Sequence, residues 1–410
     1  MSFHPTLSRL IAHINPIPAT FLRGGTSKGI FLHRTHLPSL PSQWAPIFLG
    51  IMGSPDPQYN RQLNGMGGGI SSLSKICIIS EPNAELKKRP ELGVQVEYTF
   101  VQIGVRDETV DFSGNCGNLS AVVGAFALDE GICTSGVQSN NGTTTIRSFN
   151  TNTQKIIDTT FPITTTSDGR ILSDLNRPET SIGGVSGKAS KIIMEFINPS
   201  GARTGKLLPS GSPINSVPVT IDGTSQHNVN VSLVDATNPT VFVHTSQLLS
   251  ILPTLGSYIY LSRTTNDQVE SVLESIRQQG ARLMGLDPNA LAQPKIALVD
   301  APSSPQDAVD GVDVVVHALS MGVLHKAVPM TVGLCLGVAA RVEGSLVWDV
   351  VRQSRERRAR IREEDGDGMV RIKHPTGIVD VGAEMSDDGH VKSAKVLRTG
   401  RKLMKGVVWW

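Results

Sequence analysis

Apolar and polar positions along this chain change period several times, and each change marks an element. Alternation with a period of two, the mark of a strand with one face in a core, runs through residues 73–80, 94–105, 143–148 and 188–198. Between the second and third of these lies 118–130, apolar on most faces and stopped by Gly131. It reads as one buried helix. The second half repeats the plan, with strands predicted at 217–222, 228–234, 241–244, 295–300 and 312–318. A second apolar helix is predicted over 326–342, entered through Ser320-Met321-Gly322 and stopped by Gly344, with Pro329 in its first turn.

These two turn-plus-helix segments lie about 200 residues apart, which points to two similar halves. The fold class predicted is α+β, each half wrapping a central apolar helix in mainly antiparallel strands. The domain boundaries predicted are 1–205 and 206–390, with the tail from 391 to 410 a candidate to return to the first half. A further helix at 267–286 carries Val269, Val272, Leu273, Ile276 and Leu283 at helical spacing and reads as amphipathic decoration. The mixed-sign charge run 352–367 reads as a solvated loop before a strand at 369–373, and no function is assigned to it.

Composition narrows the class. A chain of 410 residues is too long for one compact core. Lys and Arg total 38 against 36 Asp and Glu, so no basic excess suggests nucleic acid. No apolar run reaches the length of a membrane span. Four cysteines, Cys77, Cys116, Cys133 and Cys335, show neither a disulfide framework nor zinc-site spacing, so no metal is expected and a reducing compartment is. The first acidic residue is Asp56, which raises the question of organellar import. Pro5, Pro16 and Pro18 interrupt a transit-type helix, so a cytoplasmic location is expected with import left open. A homo-oligomer is left open as well.

Candidate chemistry gathers in glycine-rich loops. Arg23-Gly24-Gly25-Thr26-Ser27-Lys28-Gly29, Gly65-Met66-Gly67-Gly68-Gly69 and Ser113-Gly114-Asn115-Cys116-Gly117-Asn118 each could turn backbone N–H groups toward one anion. None matches a phosphate loop or dinucleotide fingerprint. Cys116 stands where an apolar helix begins, a setting that favours an anionic substrate or a reactive thiol. Cys77, Cys133 and Cys335 read as packing. Lys75 emerges from an apolar strand, where it is either a snorkelling side chain or a desolvated amine able to act as a general base. In the second half, Lys295 opens a strand, and Ser320 and His325 flank the predicted helix start.

Taken in order, these motifs resemble the 2-methylaconitate cis-trans isomerase (PrpF) family. The resemblance also rests on Ser71-Ser72-Leu73-Ser74-Lys75, Leu233-Val234-Asp235-Ala236 with Asn238-Pro239, Leu319-Ser320-Met321-Gly322-Val323-Leu324-His325-Lys326, and His374-Pro375-Thr376-Gly377. It implies the diaminopimelate-epimerase-like fold, with the active site between two pseudo-symmetric halves. It implies an isomerase of small unsaturated di- and tricarboxylates that needs no cofactor. Lys75 would be the proton donor and acceptor, and Cys116 a second acid/base or a neighbour that shapes the site. The substrate carboxylates would be held by Arg23, Gly24, Gly25, Thr26 and Ser27, by Gly65, Met66, Gly67, Gly68 and Gly69, and by Asn115, Gly117 and Asn118. Lys295, Ser320, Met321, Gly322 and His325 would do so in the second half. Ile70 and Leu73 replace smaller or polar residues of that loop, and 81–92 looks like an insertion. Those departures put the particular substrate in doubt.

Two other readings are weighed. A racemase or epimerase of the same fold needs a thiol at both helix starts, and the second start has none. A non-catalytic carboxylate-binding protein that has lost turnover is the other, and the presence of Lys75 and Cys116 speaks against it.

Overall fold

The computed structural model describes residues 15–133, 139–221, 225–261, 266–290, 293–320, 322–325, 327–359 and 369–410. Met321, Lys326, Asp222 and the charge run beyond Ala359 lie outside the described residues. The chain divides into two compact units, with breaks at Glu195/Phe196 and at Leu397/Arg398.

In the first unit, strands Ile17–Gly24 and Ser27–His33 form a hairpin across Gly25-Thr26. Lys75–Ser80 runs parallel to Ser27–His33 and antiparallel to Val96–Ile103. Thr143–Asn150 and Lys155–Thr165 continue the sheet. The last residues of the chain pair with its first strand, Ile17 opposite Val408. Both faces of this sheet are covered. Helix Trp44–Met52 packs Ile47, Phe48, Ile51 and Met52 against Ile30, Ile76 and Val101 on one face. Helix Val123–Asp129, buried at every position, lies on the other face, where Phe126 meets Phe31. A strand covered on both sides needs no polar alternation, which is why residues 75–79 are buried without a break.

The second unit repeats the plan. Asn215–Ile221, Ser225–Ala236 and Asn238–His244 form an antiparallel meander. Lys295–Asp300 joins it in parallel, followed by Val314–Ser320 and, beyond these, Val370–His374 and Gly377–Met385. Helix Met330–Ala339, buried from Val332 onward, packs against Gly377–Met385 so closely that a Cβ on Gly337 would lie 2.9 Å from the Gly382 nitrogen. The opposite face is closed by Asp267–Leu283, which buries Val269, Val272, Leu273 and Ile276. That helix is part of the core, not decoration. Each unit thus holds a mainly apolar helix in a mainly antiparallel sheet, the α+β, diaminopimelate-epimerase-like plan expected.

Several elements differ from the sequence expectation. The helix predicted over 118–130 is two pieces, Gly117–Ser120 and Val123–Asp129, separated where Val122 leaves helical geometry. The second helix starts at Met330, not 326, with Pro329 as its N-cap. Pro329 disfavours helical backbone at Val328, so the helix cannot extend toward His325. Ser320 and Gly322 belong instead to a tight hairpin in which Ser320 pairs with Val323. The charge run is helical as far as Ala359, in helix Leu346–Ala359. Its Arg and Glu are good helix formers, and Val347, Val350 and Val351 give it a buried stripe that short-window charge counting hides. Arg355 and Arg358 of this helix bind the buried carboxylate of Asp313.

Candidate active site

The hairpin at the start of the chain and the first helix start are built against one another. A Cβ on Gly24 would lie 2.3 Å from the Asn118 carbonyl oxygen, and one on Gly25 would lie 2.2 Å from the Asn118 side-chain oxygen. Gly25 also has φ +50, so glycine is required there on two counts. With the approach that close, Asn118 Nδ2 donates to Thr26 Oγ1 at 3.0 Å and lies 3.5 Å from Ser27 Oγ. Cys116 Sγ lies 3.7 Å from the same Ser27 hydroxyl. Arg23 is directed elsewhere: its Nη1 donates to the carbonyls of Gly25 and Thr399 and to Thr399 Oγ1. It ties the turn to the last strand. Burial, with Arg401 nearby, holds its guanidinium below the usual value.

Beneath Cys116 sits a buried polar network that the sequence pattern does not reveal. Asn115 Nδ2 donates to the Tyr98 hydroxyl at 3.2 Å and to Ser120 Oγ at 3.1 Å. Tyr98 and Ser120 share a 2.7 Å hydrogen bond, and Ser120 Oγ donates to the Cys116 carbonyl at 3.1 Å. Burial pushes the Tyr98 phenol up, so it stays a neutral donor. The network fixes the helix start from below.

Lys75 projects from its strand toward the same side. Phe31 pairs with Cys77 and contacts Phe126, so the face that Lys75 shares with Cys77 is the helix-bearing one. A Cβ on Gly29 would meet both Leu119 Cδ1, at 2.7 Å, and the Lys75 carbonyl oxygen, at 2.9 Å, so Gly29 lets strand and helix start approach. Lys75 is 7% exposed. Its Nζ donates to Gln102 Oε1 at 2.5 Å and lies 5.0 Å from the centre of the Phe100 ring. Cys77 behind it is fully buried; burial and neighbouring Cys116 push its thiol well up, offset in part by Lys75. The first unit therefore brings Ser27, Cys116 and Asn118 together above Asn115, with Lys75 on the same face of the sheet. Arg398 also belongs to this group. Burial lowers its guanidinium to about 10, with Cys116 acting in the opposite sense. Sequence reading missed Arg398, Gln102 and Tyr98, since nothing in an alternating strand distinguishes a site residue from a packed one.

The loop Gly65-Met66-Gly67-Gly68-Gly69 behaves otherwise than its composition suggests. The N–H groups of Gly65, Met66 and Gly67 donate to the carbonyls of Gln62, Ile51 and Met52. That of Gly69 donates to the Gln62 side chain. Close backbone contact accounts for the glycines: a Cβ on Gly65 would lie 2.2 Å from the Gly53 nitrogen, and one on Gly68 2.6 Å from Leu73 Cδ1. The loop is a brace. Buried Gln62 links it to Ser54 and Ser74, next to Lys75.

In the second unit, Lys295 and Gly322 line one cavity with Glu270, Glu274 and Arg277. Burial, with Arg277 adding to it, holds the Lys295 ammonium below its usual value. Arg277 is itself paired with Glu274 at 2.6 Å. His325 is exposed; its backbone N–H donates to the Ala318 carbonyl, and its ring Nδ1 lies 2.5 Å from the Ala327 carbonyl oxygen and 3.2 Å from the Ala327 nitrogen. Among the described residues, no group of three or more His, Cys, Asp or Glu is arranged to hold a metal ion. No described helix is long and apolar enough to cross a membrane.

A family model described as PrpF protein matches residues 14–410. The chain belongs to the PrpF family. It is 33% identical to the 3-methylitaconate isomerase of Eubacterium barkeri, over 96% of this chain and 97% of that protein. It is also 33% identical to the 2-methyl-aconitate isomerase of Shewanella oneidensis, over 96% of each. Among solved structures, a methylitaconate-delta-isomerase superposes with a TM-score of 0.77 at 32% identity, covering 96% of this chain and 95% of that one.

Membership in the PrpF family agrees with the state of the second-helix cysteine. Counted from Met330, Cys335 is the sixth residue of its helix, nearer the start than the sequence suggested. It is nonetheless fully buried, and burial pushes its thiol up to about 12. A two-thiol racemase would need a reactive thiol there.

Proposed function

We propose that this PrpF-family protein is an isomerase of small unsaturated di- or tricarboxylates and that Lys75 moves the proton. The reaction removes a proton from carbon beside, or allylic to, a carboxylate. The electron pair of the broken C–H bond spreads through the neighbouring C=C into the carboxylate, giving a dienolate. The former double bond is then single enough to rotate or migrate, and return of the proton restores a neutral carbon skeleton. Such chemistry needs a base and donors aimed at the developing oxyanion.

The observation that carries this reading is the Lys75 amine, 7% exposed, held on an apolar strand face on the side of Cys116 and Asn118. In neutral form it accepts the proton, and as an ammonium it returns it. Ser27, Asn118 and the first N–H groups of Gly117–Ser120, which have no acceptor within the helix, are the proposed carboxylate donors. Lys295, Ser320, Gly322 and His325 are proposed as further carboxylate contacts, with Met321 between them in sequence. Cys116 is proposed as a second acid/base or as a residue that shapes the pocket. The reaction is proposed to need no cofactor, and the four free cysteines favour a reducing, cytoplasmic setting.

The test is incubation with cis-aconitate, 2-methyl-cis-aconitate and itaconate-type acids in D₂O, followed by NMR. The expected result is a new isomer carrying deuterium, at a rate unchanged by a chelator. Activity lost to the chelator and restored by a divalent ion would refute the mechanism. So would full conversion of a substrate without any exchange at carbon under single-turnover and multiple-turnover conditions.

A further inference from the structure

Lys75 and Gln102 are direct cross-strand partners, so their side chains leave the sheet on the same face. The Gln102 amide has only one orientation open to it. Its Nε2 faces three carbonyl oxygens, those of Ser74 at 3.0 Å and of Ser71 and Ile103 at 3.2 Å. Rotating the amide by half a turn would set its oxygen against three other oxygens and its NH₂ against the lysine amine. Oε1 is therefore held on Lys75 Nζ, at 2.5 Å, with Ser71 Oγ as its second donor at 3.2 Å. Two of the carbonyls that lock the amide, those of Ser71 and Ser74, come from the turn Ser71–Leu73 and its flank, and the third, that of Ile103, from Gln102's own strand; Ser74 is fixed by buried Gln62. Brace, amide and amine form one chain of contacts.

We propose that Gln102 is a positioning residue for proton transfer: it takes one N–H of Lys75 and so directs the remaining hydrogens, or the lone pair, toward the substrate carbon. The proposal rests on Lys75 being the base. A flexible four-bond stem would otherwise leave the amine free to sweep several ångströms, and misplacement by about 1 Å can cost about 10²-fold in rate. The sequence motif holds Lys75 but not Gln102, which lies on a different strand.

Two variants test it, with Lys75→Ala measured beside them. Gln102→Met keeps the volume and removes the acceptor. Its expected effect is a fall in kcat of about 10–100-fold with KM within about twofold and a melting temperature near that of the parent. Gln102→Glu puts a carboxylate on the amine, which favours the ammonium, so the acid limb of the kcat/KM profile should move to higher pH. The neighbouring groups are unchanged in both variants: Phe100 on the partner strand, Cys77 on its own strand, Asp111 opposite Gln102, Cys116 at the helix start, and Arg398 beside Cys116. Should one variant fail to fold, the other carries the test. Unchanged kcat in Gln102→Met, a loss expressed only in KM and melting temperature, or an unmoved acid limb in Gln102→Glu would each overturn the proposal. Lys75→Ala that retains turnover would instead overturn the assignment of the base, which is a separate failure.

Discussion

Lys75 and Cys116 lie on one side of the same sheet, and the proposed chemistry ranks them. A rotation or allylic shift can return the proton from the side that lost it, so one base suffices. Lys75→Ala should abolish both isomerisation and deuterium exchange, because loss of a general base costs about 10²–10⁴-fold. Lys75→Arg should fail as well, since a guanidinium stays protonated and cannot accept the proton. Cys116→Ser should keep measurable turnover. A dead Cys116→Ser beside an active Lys75→Ala would make the thiol the base. At this scale the sequence is legible where function leaves a compositional mark, as in the run Asn115-Cys116-Gly117-Asn118 that no core would choose. It is silent about Gln102 and Tyr98, which occupy ordinary strand positions and take their meaning from what stands across the sheet. It also misleads at Arg23, an arginine in a glycine-rich loop that donates to Gly25 and Thr399 of its own unit's framework.

Among elements, the hairpin Ile17–Gly24/Ser27–His33 and the helix start at Gly117 form one device. At Gly24 the helix backbone itself closes in, leaving no room for a methyl group against the Asn118 carbonyl. Gly24→Ala should displace the helix start, lower stability by about 1–3 kcal/mol as overpacking does, and reduce kcat/KM. Gly114→Ala is the matched control. A Cβ there would meet nothing within 4 Å, so melting temperature and activity should hold. Equal behaviour of the two variants in thermal denaturation and initial-rate assays would mean that the close approach at Gly24 is unimportant. Strands flanked by turn residues are legible from alternation, and the helix at Asp267–Leu283 from apolar residues at helical spacing. The break within 118–130 and the late start at Met330 are not. Hydrophobicity continues across both points, while backbone geometry at Val122 and the restriction imposed by Pro329 do not appear in a periodicity. The helix at Leu346–Ala359 was hidden for the converse reason, a thin apolar stripe under many charges.

For the molecule as a whole, repetition of one plan in two units was visible as two apolar segments a long way apart, whereas the pairing of the last strand with the first was only a candidate. What no pattern discloses is which polar groups end up inside, and these set the response to acid. His317 is buried, packs edge-on to Tyr260, and burial holds its imidazole below the ordinary value. His33, less buried, is shifted the same way, first by burial and then by His36. As pH falls through about 6.5, these histidines take up protons in the unfolded chain but resist doing so in the folded one. The unfolded state then binds more protons, so stability declines with falling pH. Carboxylates act lower down. Glu274 and Asp174 are held low by hydrogen bonds from Arg277 and Arg177, and their contribution is present above the unfolded carboxylate range of about 4 and is lost below it. Urea denaturation across pH should therefore show a midpoint that is level near neutrality, declines from about 6.5, and falls again below about 4.5. His317→Phe keeps a ring against Tyr260 and cannot titrate, so it should weaken the upper decline and leave the lower one in place. An upper decline of undiminished size in that variant would remove His317 from the account and shift it to His33 or to a change in the unfolded chain.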